Sequence, residues 1–247
     1  MIDGREQEHG PETSAGAVPH GVVIVVPAYR EPTVIGNVVA GLRSAGYSVV
    51  VVDDGSGDGT GDSARTAGAL VLRHAVNLGQ GAALVTGLRY ALEHCHPDCL
   101  VTFDADDQHD VADIAALVGP ILDGRADVVL GTRFGGGAAP GIPLLRRIAL
   151  QTAAHFSRFA HGLELTDSHN GLRALAPCAA RVIIAEMHQP RMAHASEFVT
   201  VVHRASMRIV EAPVTVRYSA YSLAKGQHLR HAFVVIWDLL LARMLRQ

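Results

Sequence analysis

Short apolar runs, mostly of β-branched residues, recur through the first half of the chain, and a polar turn follows each one. Apolar runs of this length, bounded by polar residues, are typical of strands buried on both faces of a parallel sheet. The predicted strands cover residues 22–26, 49–52, 69–72, 100–103 and 127–131.

The segments between these runs carry apolar residues at helical spacing. The pattern predicts a helix over residues 33–44 with Thr33 as its cap, and an alanine-rich helix that ends near His94. Farther on, it predicts a helical run after Glu197 and a strand over residues 208–216. Strands and helices that alternate in this way predict a right-handed, mostly parallel α/β sheet.

The polar residues that follow the predicted strands are of kinds that bind ligands. In parallel sheets of this type, ligands bind at the carboxyl ends of the strands, so these residues should meet at one edge. This convergence predicts a ligand site there. The residues are Tyr29, Glu31, Asp53, Asp54, Asn77, Gly79, Asp104, Asp106 and Arg133.

The stretch after the fourth strand, residues 104–109, is the richest in candidate chemistry. Asp104, Asp106 and Gln108 alternate along it, and their oxygen atoms suit a hard divalent cation such as Mg²⁺ or Mn²⁺. The alternative is a solvated acidic turn that caps the next helix through Asp110 or Asp113. The convergence of five strand ends favours the ligand site.

Composition and missing motifs exclude several classes of protein. The chain of 247 residues has a net charge of −3 and no basic run with interleaved aromatic residues, which disfavours a nucleic-acid partner. No G-x-G-x-x-G follows the first strand, and no G-x-x-x-x-G-K-[ST] occurs, so dinucleotide and P-loop sites are not expected. Cys95 and Cys99 lack a second ligand pair for zinc, and we expect them to pack as small residues. Three cysteines give no disulfide framework, which is consistent with the cytoplasm.

The two ends of the chain differ from its centre. Residues 1–20 are rich in Gly, Glu and Pro and are expected to form a disordered tail without a signal peptide. The apolar run over residues 232–242 contains Asp238 and is too short to span a bilayer. Residues 227–247 are predicted to hold an amphipathic helix, over about 229–246. Its apolar face could dock on the core, join two copies as a homodimer or rest on a membrane surface, and the first two roles are favoured.

Five motifs, taken in order, resemble family 2 glycosyltransferases with the GT-A fold, and most closely the dolichol- and polyprenol-phosphate sugar transferases. The resemblance runs from about residue 22 to residue 218 and implies a catalytic domain over residues 21–226. The motifs are Pro27-Ala-Tyr29-Arg-Glu31, Asp53-Asp54-Gly-Ser, Asn77-x-Gly79-x-Gly, Asp104-Ala-Asp106-x-Gln108 and Gly-Thr-Arg133-Phe.

The resemblance also implies roles in binding a nucleotide-diphospho-sugar. Asp104 and Asp106 would form the D-x-D pair that holds Mg²⁺ or Mn²⁺ against the diphosphate, with Gln108 as a third ligand. Asp53 would contact the base or ribose while Asp54 supports the turn. The other residues implied in nucleotide-sugar binding are Pro27, Tyr29, Glu31, Asn77, Gly79 and Arg133.

The later motifs are implied near the donor sugar, the acceptor and the diphosphate. Asp167 and Arg173 match a segment near the sugar, and either Asp167 or Glu197 would be the general base. In the loop that follows, Arg217 and Lys225 would contact phosphate. His228, in the same loop, is a candidate for metal or phosphate.

The expected activity is inverting transfer of a sugar from a nucleotide-diphospho-sugar to a small or lipid-phosphate acceptor. A GDP-sugar is expected from the subgroup. The alternative is a nucleotide-sugar pyranose/furanose mutase, which would need no external acceptor. A non-catalytic nucleotide-sugar sensor is disfavoured because the metal motif is complete.

Overall fold

A computed structural model describes residues 21–134, 165–167, 170–189 and 194–217. The strands within these ranges are β1 (Val22–Ala28), β2 (Ser48–Asp53), β3 (Leu70–Arg73), β4 (Cys99–Thr102), β5 (Val128–Thr132), β6 (Arg173–Leu175) and β7 (Ile209–Pro213). The helices are α1 (Ile35–Ser44), α2 (Thr60–Thr66), α3 (Gln80–His94), α4 (Ile114–Leu122), α5 (Pro177–Glu186) and α6 (His194–Arg204).

The strands form one sheet in the order β3-β2-β1-β4-β6-β5-β7. Strand β6 is antiparallel to both β4 and β5, and the other neighbouring pairs are parallel. Since β6 runs in the opposite direction, its first residue, Arg173, lies beside Thr102 at the edge where the parallel strands end. The prediction of a mostly parallel α/β sheet is confirmed.

Helices cover both faces of the sheet. In β1, Ile24 and Val26 pack with α1, α2 and α4, whereas Val23 and Val25 pack with α3, α5 and α6. Because neither face of the central strands β1, β4 and β5 meets water, these strands need no alternation of apolar and polar residues, and this explains their continuous apolar runs.

Several local predictions need correction. Thr33 does not cap α1: the helix begins at Ile35, and the Glu31 carbonyl accepts the N–H groups of Val34 and Ile35 instead. The strand predicted over residues 208–216 covers only Ile209–Pro213. Asp110 does act as a cap, because its carboxylate accepts the N–H of Ala112 in a 3₁₀ turn before α4.

The two cysteines expected to pack between α3 and β4 differ from each other. Cys99 is buried, as predicted, but Cys95 is exposed. The predicted tail over residues 1–20, the C-terminal helix, Lys225 and His228 lie outside the described residues. In the part of the chain that is described, no helix is both long and apolar enough to cross a bilayer.

Candidate active site

The turns after β1 and β2 are joined by hydrogen bonds between them. The N–H of Arg30 donates to Ser56 Oγ at 3.0 Å, and the N–H of Glu31 donates to Thr60 Oγ1 at 3.0 Å. Glu31 is buried at this junction, whereas the side chain of Tyr29 is exposed. The turns that carry the predicted nucleoside residues therefore form one connected surface.

Asp53, predicted to contact the nucleoside, is buried and has protein partners on both carboxylate oxygens. Its Oδ1 accepts the N–H of Ser56 at 3.0 Å, and its Oδ2 accepts from Arg73 Nε at 3.1 Å. These contacts hold the turn after β2 against the end of β3.

Asp54 is equally buried and is bonded to the loop between β3 and α3. Its Oδ1 accepts the N–H of Leu78 at 2.9 Å, and its Oδ2 accepts the N–H of Gly79 at 2.7 Å. Gly79 has a φ of 104°, a backbone conformation that residues with a side chain rarely adopt, and Asn77 is exposed beside it. Asp54 therefore supports this loop from within.

Asp104 follows β4, with 28% of its side chain exposed. Its Oδ1 accepts from Gln80 Nε2 at 3.2 Å, and its Oδ2 lies 3.0 Å from His109 Nε2. Burial favours the neutral carboxyl, but the hydrogen bond from His109 and the neighbouring charges, including that of Arg173, outweigh it and lower the pKa of Asp104.

Asp106 has the opposite behaviour. Burial, and then the charge of Asp104, raise its pKa to about 6. Its Oδ1 accepts the N–H of Gln108 at 3.2 Å, and its Oδ2 accepts from Gln108 Nε2 at 2.5 Å. An ionised Asp106 is thus repelled by Asp104, and its hydrogen bonds to Gln108 offset only part of the cost of burial and repulsion.

This donor set fits an oxygen-preferring divalent cation. A cation between Asp104 and Asp106 would offset the repulsion that raises the Asp106 pKa. Gln108 donates to Asp106 with its amide nitrogen here, so its oxygen would become a ligand only after the amide turns. Across the described ranges, no group of three His, Cys, Asp or Glu side chains forms a metal site.

Asp167 and Arg133 form a buried ion pair. Arg133 Nε and Nη2 donate to the two carboxylate oxygens at 2.6 Å and 2.7 Å, and the side chain of Asp167 is 2% exposed. Glu211 of β7 holds this segment, since its carboxylate accepts the N–H groups of Thr166 and Asp167. Sequence reasoning missed Glu211, because nothing in a strand pattern shows which loop an edge-strand side chain will reach.

Arg173 is 3% exposed and lies between carboxylates. Burial lowers its pKa to about 10, although the charges of Asp104 and Asp167 act in the opposite direction. Its Nε donates to the Asn170 carbonyl at 2.8 Å, and its guanidinium lies 4.2 Å from the centre of the Phe198 ring. Arg173 is thus an internal counter-ion for both Asp104 and Asp167.

A polar cavity of about 130 Å³ lies beside Asp104. Within it, Asn170 Oδ1 accepts the N–H of Leu172 at 2.9 Å, which fixes the amide orientation. Its buried Nδ2 then has no partner among the described residues, and an oxygen bound in the cavity would supply one. The lining residues are Asp104, Gln108, His109, Arg133, Asn170, Gly171 and Val216.

Glu197 and Arg217, two further predicted site residues, are bonded to protein groups. Glu197 Oε2 accepts the N–H groups of His188 and Gln189 at 3.1 Å and 2.7 Å, so its carboxylate caps the segment after α5. These contacts do not support Glu197 as the general base. The N–H of Arg217 donates to the Gln108 carbonyl at 2.7 Å, and its guanidinium pairs with Asp110.

Comparison with known proteins identifies the family. Residues 23–172 match the model of Glycosyl transferase family 2. A protein of Methanocaldococcus jannaschii, named only as uncharacterised, is 34% identical over 225 residues, which is 90% of this chain and 92% of its own. The UDP-N-acetylglucosamine–dolichyl-phosphate N-acetylglucosaminyltransferase of Methanococcus voltae is 29% identical over 242 residues, with 90% and 96% covered.

A solved structure matches the fold. Glucosyl-3-phosphoglycerate synthase from Mycobacterium tuberculosis, in complex with Mn²⁺, UDP-glucose and phosphoglyceric acid, superposes with a TM-score of 0.64 at 20% identity. The match covers 89% of this chain and 78% of that one and shows the predicted GT-A-like fold. The chain therefore belongs to glycosyl transferase family 2 and is a glycosyltransferase.

Proposed function

We propose that the protein transfers a sugar, with inversion, from a nucleotide-diphospho-sugar to a lipid phosphate. The observation that carries this choice of acceptor is that Asp167 and Glu197, the two expected general bases, are already bonded to protein groups. A hydroxyl acceptor needs a base within hydrogen-bond reach. A phosphate monoester has a second pKa of about 6 and is already ionised at neutral pH. A phosphate acceptor therefore needs neither carboxylate.

The acceptor phosphate is assigned to the polar cavity beside Asp104. Asn170 Nδ2 would donate to a phosphate oxygen there, and Arg133 would supply positive charge held in place by Asp167. The cavity lies toward β6 and β5, while Glu31 and Asp53 follow β1 and β2 on the other side of β4. A nucleophile that approaches from the side opposite the nucleotide inverts the anomeric carbon.

The donor is assigned to the connected turns after β1 and β2, with the diphosphate toward Asp104. The residues proposed to line it are Pro27, Tyr29, Glu31, Asn77 and Gly79, whereas Asp53, whose carboxylate is bonded to Ser56 and Arg73, is proposed to support the turn. The sequence resemblance favours a GDP-sugar, whereas the Methanococcus voltae relative is named for a UDP-sugar. GDP-sugars and UDP-sugars therefore both belong in the first set of donors to be tested.

The proposed cofactor is Mg²⁺ or Mn²⁺, held by Asp104 and Asp106 with Gln108 as a third ligand. When bound, the cation would stabilise the negative charge of the departing nucleotide diphosphate. The charge of Arg173 balances that of Asp104, and His109 and Gln80 fix the orientation of the Asp104 carboxylate.

The test compares dolichyl phosphate with dolichol, which differ only by the phosphate. Purified protein is incubated with UDP- and GDP-sugars and Mn²⁺, and the products are separated by chromatography and identified by NMR. We expect transfer to dolichyl phosphate and none to dolichol, with loss of turnover in EDTA. Transfer to dolichol at a similar rate would overturn the acceptor assignment. A furanose nucleotide-sugar formed without acceptor would support the mutase instead.

A further inference from the structure

His74, on the loop between β3 and α3, connects two elements through both ring nitrogens. Its Nδ1 lies 2.7 Å from Asp54 Oδ1, and its Nε2 lies 3.0 Å from the hydroxyl of Thr86 on α3. An ionised carboxylate only accepts, so Nδ1 is the donor to Asp54. The side chain is 11% exposed, which restricts it to this orientation.

Asp54, which is bonded to His74, in turn fixes the start of α3. The same carboxylate accepts the N–H groups of Leu78 and Gly79, directly before the helix begins at Gln80. The N–H of Asp54 donates to the Ala28 carbonyl at 2.9 Å, which ties the carboxylate to the end of β1. The first turn of α3 is therefore fixed to the sheet by one buried side chain.

Gln80 carries the connection to the D-x-D pair. It is the first residue of α3, and its Nε2 donates to Asp104 Oδ1 at 3.2 Å. A continuous path of hydrogen bonds and one peptide link therefore runs from His74 through Asp54, Gly79 and Gln80 to Asp104.

We propose that His74 is a positioning residue for the D-x-D pair. It orients Asp54, which sets the first turn of α3 so that Gln80 holds the Asp104 carboxylate. This role rests on the proposed function of Asp104 as a ligand of the cation and diphosphate. A purely structural His74 would stabilise the fold without affecting that site.

Three substitutions at His74 separate these two roles. In His74→Asn the amide nitrogen can take the place of Nδ1 and keep the bond to Asp54. In His74→Gln the amide can reach Thr86 but not Asp54, and His74→Leu keeps neither bond. Thr86→Val serves as the matched control, because it removes only the outer hydrogen bond.

The measurement is the affinity for UDP or GDP in Mn²⁺, by titration calorimetry, together with the thermal unfolding midpoint. Changes to residues that orient metal ligands cost about 10-fold to 100-fold in metal affinity or activity, so we expect about a 10-fold loss for His74→Leu and His74→Gln. His74→Asn and Thr86→Val should stay within about 3-fold of the wild type. Wild-type affinity in both His74→Leu and His74→Gln would overturn the positioning role.

A double variant tests the proposed path directly. If His74 acts through Gln80, then Gln80→Leu should match the loss in His74→Leu, and the double variant should lose no more than either single one. Additive losses would overturn the path. A wild-type protein that binds neither nucleotide in Mn²⁺ would count against the proposed function. Loss of binding only in the His74 and Gln80 variants supports the positioning role.

Discussion

Two acidic pairs lie at the same edge of the sheet but have different surroundings. Asp53 and Asp54, after β2, are each 2% exposed, and all four of their carboxylate oxygens accept hydrogen bonds from the protein. Asp104 and Asp106, after β4, are partly exposed, and the charge of Asp104 helps to raise the Asp106 pKa to about 6. The oxygens of the second pair also accept hydrogen bonds, so the two pairs differ in their burial and in the repulsion between Asp104 and Asp106, which a bound cation would offset.

The difference shows that residue type and strand position together do not define a ligand site. A carboxylate whose oxygens are bonded to backbone N–H groups holds loops in place, as Asp54 does with Leu78 and Gly79. A carboxylate crowded by another carboxylate is costly to the fold, and such groups are common where a ligand supplies the missing charge.

The comparison predicts its largest effect at Asp104. Asp104→Asn should lower turnover by about 10³-fold or more, because the carboxylate would no longer bind the cation that stabilises the leaving group. The free energy of unfolding should fall by only about 1 kcal/mol, from the weakened hydrogen bond to His109 and the lost charge interaction with Arg173. Release of nucleotide diphosphate and denaturant unfolding measure the two quantities.

Asp53→Asn is the matched control. It should lower the free energy of unfolding by about 1–3 kcal/mol, because Asp53 is a buried acceptor for Ser56 and Arg73. It should keep turnover within about 10-fold of the wild type. If Asp53→Asn lost as much activity as Asp104→Asn, the distinction between the two pairs would be wrong.

The sequence predicted a site at these strand ends but not which protein groups each carboxylate contacts. The apolar runs were sufficient to place β1 to β5, because strands buried within a sheet need no alternation of apolar and polar residues, and even the edge strand β3, which is only partly buried, carries three apolar residues in a row. Strand β6 is three residues long, too short to leave a pattern, yet it brings Arg173 to the site. The partners of the Asp54 and Asp167 carboxylates lie 20 to 34 residues away in sequence. Such pairings depend on the packed fold and leave no local signal.

Two glycines allow the comparison to be tested by adding a single methyl group. A Cβ on Gly171 would lie 2.1 Å from Asp104 Oδ2, whereas a Cβ on Gly55 would lie 2.6 Å from the backbone carbonyl carbon of Val76. The Asp104 side chain can move aside, so Gly171→Ala should cost about 10-fold to 100-fold in turnover with little change in stability.

Gly55→Ala should have the opposite effect. Its φ of 71° and the contact with backbone leave no room for adjustment, so we expect a loss of about 2–4 kcal/mol in the free energy of unfolding. Turnover, measured well below the unfolding temperature, should change less than in Gly171→Ala. A Gly171→Ala protein that unfolds more easily but turns over normally would reverse the assignment.

The smallest effect concerns the stability of the fold as a function of pH. Asp106 has a folded-state pKa of about 6 against an ordinary value of 3.8, so between these pH values the folded protein binds a proton that the unfolded chain does not. The free energy of unfolding must then fall as the pH rises through this window.

Asp106→Asn carries no such group and, in EDTA, should be more stable than the wild type above pH 6 by about 1–2 kcal/mol. Urea unfolding at pH 4 to 8 measures this gap in the free energy of unfolding between the variant and the wild type, which should close toward pH 4. A gap that widened toward acid would mean that ionised Asp106 stabilises the fold. Adding Mn²⁺ at pH 7.5 should stabilise the wild type more than the variant, since only the wild type keeps both carboxylates for the cation.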